Sequence, residues 1–171
     1  MSQLSCYVQI KGLKGSSTDD KHPGDQGWFA IESFDTGVMQ TTNSLAAGKG
    51  QQSMSQANAQ FSDVSWTKMV DGTTPQVQGS CAAAKNLPEV IIHFMAQSNN
   101  ANEPYLIYTL TDAMFSSVSI NGGSGGGLME HVSVNFAKIN LDYNMRDEKG
   151  AKKGATGYNW DLVKNTGSPG M

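Results

Sequence analysis

The stretch from Phe115 to Tyr143, FSSVSINGGSGGGLMEHVSVNFAKINLDY, restricts the possible folds of this chain more than any other. Two runs of strand-forming residues flank Gly122-Gly123-Ser124-Gly125-Gly126-Gly127, a composition that predicts two antiparallel strands joined at a flexible tip. In the first run Val118 and Ile120 alternate with serines, the period of a half-buried strand. In the second, Val132, Val134 and Phe136 take even positions, whereas Ile139, Leu141 and Tyr143 take odd ones. Side chains alternate faces along a strand, so the change of phase near Ala137-Lys138 requires a bulge or a strand that is apolar on both faces.

Other segments repeat the strand pattern. Leu4, Cys6, Val8 and Ile10 alternate with polar neighbours, and Trp28 to Val38 and Phe61 to Val70 follow suit. Val90 to Ala96 and Tyr105 to Leu110 are apolar on both parities, with a turn-rich SNNANEP between them. An antiparallel sheet in a monomer usually keeps one polar face, so several two-faced strands predict an outer face covered by a helix or a neighbouring subunit. Gly157 to Val163 supplies a last strand, and 164–171 reads as a frayed tail. One short helix is expected over about 75–85, with Thr74 as its cap and Pro75 at the first helical position. Together these elements predict one mainly β domain over 1–171.

The segment from Gln40 to Gln60 is different. Its only large apolar side chains are Leu45 and Met54, whose burial contributes roughly 3–6 kcal/mol. Ordering the backbone costs roughly 1–2 kcal/mol per residue, several-fold more in total. Burial within one subunit therefore does not order this segment. It is either a mobile loop or a hairpin completed by another chain.

Composition excludes several classes. A net charge of −3 with no basic cluster beyond Lys149, Lys152 and Lys153 predicts no nucleic-acid partner. No apolar run is long enough for a membrane span, and the MSQLSCYVQIKG start lacks the basic and apolar regions of a signal peptide. The expectation is synthesis in the cytoplasm, with any export independent of a cleaved signal. Two cysteines, Cys6 and Cys81, are too few for a disulfide framework.

Motifs for chemistry are equally sparse. Each of His22, His93 and His131 reads as a structural or surface residue, and neither His-x₃-His nor Cys-x₂-Cys spacing occurs. The glycine run lacks the Lys-Ser/Thr of a phosphate loop and precedes a strand, not a helix. No G-x-S-x-G elbow is present. Catalytic, cofactor and metal residues are all expected to be absent. Trp28, Trp66 and Trp160 fit a sugar-stacking surface less well than core or interface anchors.

Five segments, in order, resemble the haemolysin-coregulated protein (Hcp) family, the inner-tube proteins of bacterial type VI secretion systems. They are Val8-Gln9-Ile10-Lys11-Gly12; Phe61 to Lys68 with Asp71 and Pro75; Ser116 to Ser119; Glu130 with Val132 to Ile139 and Tyr143; and Gly157-Tyr158-Asn159-Trp160-Asp161. The resemblance implies a compact β-barrel of two antiparallel sheets with one helix at its side. It also implies hexameric rings stacked into a tube inside a contractile sheath, expelled on contraction with a spike and small effector proteins in the lumen. On that basis Leu45, Lys49, Gln51 and Met54 lie in a ring-stacking loop, and Asp35 faces the lumen. Trp28, Phe61, Trp66, Val134, Phe136, Ile139, Leu141, Tyr143 and Trp160 serve as core or subunit-interface anchors. Phage tail-tube proteins resemble the same fold and form the alternative.

Overall fold

The computed structural model describes residues 5–40, 59–95, 103–147 and 151–170. In chain order these hold β1 (Ser5–Ile10), β2 (Trp28–Ile31), β3 (Ser33–Asp35), β4 (Val38–Gln40), β5 (Ala59–Phe61) and β6 (Val64–Met69). Helix α1 (Thr74–Ala82) follows, then β7 (Leu87–Met95), β8 (Pro104–Asn121), β9 (Met129–Arg146), β10 (Lys152–Asp161) and β11 (Thr166–Ser168). The fold is mainly β, in a nine-stranded antiparallel sheet and a separate β4–β5 hairpin.

Long strands organise the larger sheet. β8 and β9 pair over nearly their whole lengths, and the glycine run forms the tip between them. On its other side β9 pairs with β6 through its first half and with β10 through its second. From β8 the pairing continues through β7 and β1 to β2. After β2 the chain bends at Glu32, and β3 pairs with β6. The continuous segment Trp28–Asp35 thus joins the two branches of the sheet and wraps them round one core. That core holds Val8, Ile10, Phe29, Val64, Trp66, Val90, Ile92, Leu110, Phe115, Val132 and Val134.

The change of apolar phase is a corner made by both long strands. In β9 the buried positions pass from Phe136 to Ile139, and in β8 from Leu110 to Ala113. Leu110 pairs with Ile139 and Ala113 with Phe136, so the register is unbroken and both strands change face at the same level. Asp112 adopts a left-handed backbone (φ +50°) opposite Ala137, the local cost of turning the pleat over. A separate register shift sits between Phe115 and Ser117. A bulge in one strand, one of the two expectations, would have slipped the pairing; a matched turn in two strands does not.

Two further expectations change in detail. The helix spans Thr74–Ala82, not 75–85, and Thr73 occupies the N-cap position. Thr74 does not cap: its hydroxyl donates to the buried carboxylate of Glu130. Asp71 instead closes the turn, its Oδ1 accepting from the Thr73 amide at 2.8 Å and from the Thr73 hydroxyl at 2.6 Å. The tail is also less frayed than composition predicts, because Thr166–Ser168 pairs with β10 through backbone groups that need no apolar side chain. Cys6 and Cys81 are both free.

The corner yields a test. Asp112→Val places a β-branched residue at positive φ and is expected to destabilise by about 1–2 kcal/mol, whereas Asp112→Gly retains wild-type stability to within about 1 kcal/mol. Urea unfolding of the two variants measures the difference. Equal losses would remove the corner's dependence on that backbone conformation.

Candidate functional site

Two strands bring a lysine and a glutamate face to face inside the core. Lys68 of β6 pairs in register with Glu130 of β9, and they are 1% and 0% exposed. Lys68 Nζ donates to Asp71 Oδ1 at 2.7 Å and lies 3.7 Å from Glu130 Oε2 and 5.6 Å from the centre of the Phe29 ring. The Thr74 hydroxyl completes the contact to Glu130 Oε2. This network ties the start of α1 to the sheet. Burial works to raise the pKa of Asp71, but hydrogen bonds from Lys68, Ser16 and Thr73 outweigh it and bring the group down to about 2. Lys68 falls in phase with Val64 and Trp66, and Glu130 with Val132 and Val134, so periodicity places both on the buried face, and only their charge disguises it.

Two of the three histidines also meet, against expectation. His22 sits in the loop between β1 and β2, 3% exposed, with Nδ1 3.0 Å from Asp19 Oδ1 and Nε2 3.0 Å from His93 Nδ1. Its ring stacks on Tyr7 (4.4 Å, 5°) and lies edge-on to Trp28 (4.6 Å, 85°). Burial, and then the charge of His22, lower the pKa of His93 to about 4. No sequence spacing announces a contact between residues 22 and 93, because the pairing of β1 with β7 alone brings them together.

The predicted anchors divide by depth. Trp66, Val134, Phe136 and Ile139 are core residues, whereas Trp28 is buried outside the core against His22 and His93. Phe61 is half-buried against Phe136, and Leu141 and Trp160 are also half-buried. Tyr143 is 43% exposed. The burial of Trp28 and Trp66 removes the sugar-stacking surface that three open tryptophans would have formed. Asp35 is exposed on β3, opposite Ser65. Leu45, Lys49, Gln51 and Met54 lie outside the described residues.

Beyond the corner, β8, β9 and β10 carry their apolar face out past the core. Leu110, Ile139 and Trp160 form its inner row, Tyr108, Leu141 and Tyr158 the next, and Leu106 with Tyr143 the outermost. Burial declines along these rows until Tyr143 and Met145 are 43% and 41% exposed. A second apolar patch lies at the opposite end, where Met69 and Leu128 are 46% and 54% exposed. Here a Cβ on Gly122 would meet Leu128 Cδ2 at 2.3 Å and one on Gly127 would meet Met69 Cε at 2.2 Å, each the end of a flexible and partly exposed side chain that can swing aside.

A cleft of about 760 Å³ opens between the 15–19 loop and the edges of β1 and β2, lined by Tyr7, Asp19, Glu32 and Asp71 among others. Among the described residues no three His, Cys, Asp or Glu side chains converge as a metal site. No helix of the described residues is long and apolar enough to cross a membrane. The arrangement is that of a β domain whose distinguishing surfaces are apolar sheet ends.

Comparison with known proteins gives the family. The model described as "Type VI secretion system effector, Hcp" matches residues 7–143, and the chain belongs to that family. Protein hcp1 of Pseudomonas aeruginosa is 37% identical over 106 residues, which cover 60% of this chain and 65% of that protein. The chain thus matches just under two thirds of the length of that relative. A solved structure of a type six secretion system protein superposes with a TM-score of 0.84 at 22% identity, covering 96% of this chain and 99% of the other. Hcp1 from Salmonella typhimurium gives 0.75 at 23% identity, covering 97% and 99%. At such identities these two structures speak to the fold.

Two stability predictions follow from the buried charges. Lys68→Met leaves Glu130 uncompensated and should cost about 3–5 kcal/mol, much of it recovered when Glu130→Leu is added; chemical unfolding of the single and double variants measures this. For His93, whose folded pKa is depressed, the unfolded chain takes up the proton first, so stability falls as pH drops from about 6.5 to about 4. Asp71, also depressed, adds a loss as pH falls from 3.8 to about 2. His93→Gln should flatten the upper window only, as read from unfolding curves across pH; an unchanged slope would remove His93 as its source.

Proposed function

We propose that this protein is a non-enzymatic structural subunit of the type VI secretion inner tube. In this reading six copies form a ring, rings stack into a tube, and contraction of the surrounding sheath expels the tube with small effector proteins in its lumen. The observation that carries it is the family match across residues 7–143.

The surfaces are suited to the role. The projecting face of β8, β9 and β10, ending at Tyr143 and Met145, offers apolar area for a neighbouring subunit. Both are already more than half buried, so covering the remainder contributes roughly 1 kcal/mol each. The patch of Met69 and Leu128 at the other end of the long strands offers a second surface. A domain apolar at both ends suits head-to-tail closure into a ring, in which one end of each subunit meets the other end of the next. Asp35 is exposed and is assigned to the lumen, where it adds negative charge to the channel wall. Leu45, Lys49, Gln51 and Met54 are assigned to a loop that reaches the adjacent ring, whose contacts would offset the ordering entropy that the loop's own side chains do not cover. Partners are further copies of the chain, the spike, the sheath and small effectors. The protein is made in the cytoplasm and secreted through the machine without a cleaved signal.

Negative-stain images of the purified protein should show rings. Tyr143→Ala and Met145→Ala should each weaken assembly by roughly three- to ten-fold, measured as the concentration at which rings give way to monomers in sedimentation. A wild-type protein that stays monomeric at every concentration would sink the tube assignment. Deleting residues between Leu45 and Met54 should leave rings intact and shorten stacks; loss of the rings themselves would reassign the loop to contacts within a ring.

A further inference from the structure

The His22–His93 contact is unusual in its demand for protons. With Nε2 of one ring 3.0 Å from Nδ1 of the other, a single proton serves the hydrogen bond between them. The opposite nitrogen of His22 faces Asp19 Oδ1 at 3.0 Å, an arrangement that compensates one positive charge on the pair. When both rings are protonated, two N–H groups face each other across that gap, and among the described residues Asp19 is the carboxylate bonded to the pair.

The surroundings offer little relief. From β1 the group facing His22 is Tyr7, and from β2 it is the uncharged Trp28. On β8 the residue beside His93 is Ile107, and the next carboxylate in that row, Asp142 of β9, lies a further strand away. Asp20 and Lys21 share the turn with Asp19, whose Oδ1 also accepts from the amides of Lys21 and His22. Opposing charge for the second proton is thus absent on every side among the described residues.

The base of the turn that carries His22 is closed by Gly15 N on Gly24 O at 2.7 Å and Gly24 N on Ser17 O at 2.9 Å, and Ser17 N on Trp28 O at 3.0 Å ties it to β2. Between them, residues 18–23 are closed by the Thr18–Pro23 bridge and reach the sheet through the His22 ring, clamped among Tyr7, Trp28 and His93.

We propose that residues 18–23 form an acid-released latch: a second proton on the His22–His93 pair converts their hydrogen bond into a repulsion, frees the turn from the outer face of β1 and β7, and uncovers Tyr7 and Trp28. Burial of His93, which holds its pKa near 4, places the release in mildly acidic solution. A latch at this position changes the exposed aromatic surface of the domain without disturbing the β8–β9 pair.

Amide hydrogen exchange of the wild-type chain tests the latch directly. Corrected for the intrinsic effect of pH, protection of residues 18–23 should fall at least about ten-fold between neutral solution and pH about 4, while β8 and β9 keep theirs. His93→Gln retains a neutral partner for His22 and should keep the turn closed through the same range. Unchanged protection of the turn, or a loss that tracks β8 and β9, would overturn the latch on the wild-type data alone. Equal release in His93→Gln would overturn the role of the paired histidines.

Discussion

The pairing of β8 with β9 is the interaction on which the rest depends. Every branch of the larger sheet grows from it: β7, β1 and β2 from β8, and β6, β3, β10 and β11 from β9. Two strands of 18 residues would run well past the core if they stayed flat. The matched change of face at Leu110–Ala113 and Phe136–Ile139 solves this with the hydrogen-bond register intact. One half of the pair then serves the core beside β6, and the other presents a graded apolar face beside β10. The same corner thus separates the part of the domain that holds itself together from the part available to a neighbour.

Against this frame the polar interior has two distinct roles. The Lys68–Glu130 pair is a strut between β6, β9 and the start of α1, where a missing partner costs more than the intact pair contributes. Asp19, His22 and His93 form a chain of shared protons that holds a loop on the outside of the sheet. In the strut one lysine serves two carboxylates, Asp71 at 2.7 Å and Glu130 at 3.7 Å, whereas in the chain one carboxylate serves two imidazoles.

Much of the β architecture was legible as periodicity. Val8 with Ile10, Val64 with Trp66 and Val132 with Val134 each announce a buried face, and the glycine run announces a hairpin tip. The signal weakened where local composition competes with distant partners. Thr74 looked like a cap because threonine before proline favours one, yet its hydroxyl is taken by a glutamate 56 positions away. Residues 166–168 looked frayed because they hold no large apolar side chain, yet backbone pairing with β10 orders them.

The sequence by itself determined that the chain forms alternating strands around one short helix, that its apolar phase changes near Ala137, and that its ordered motifs resemble the Hcp family. Each of these is written in nearest-neighbour terms, as periods, turn residues and motif order. Tertiary structure alone decided that the phase change is shared by two strands, that Lys68 meets Glu130 while Tyr143 lies half outside, and that His22 meets His93. Those facts depend on which strands pair and in what register, and pairing is a long-range choice that no single strand's pattern encodes.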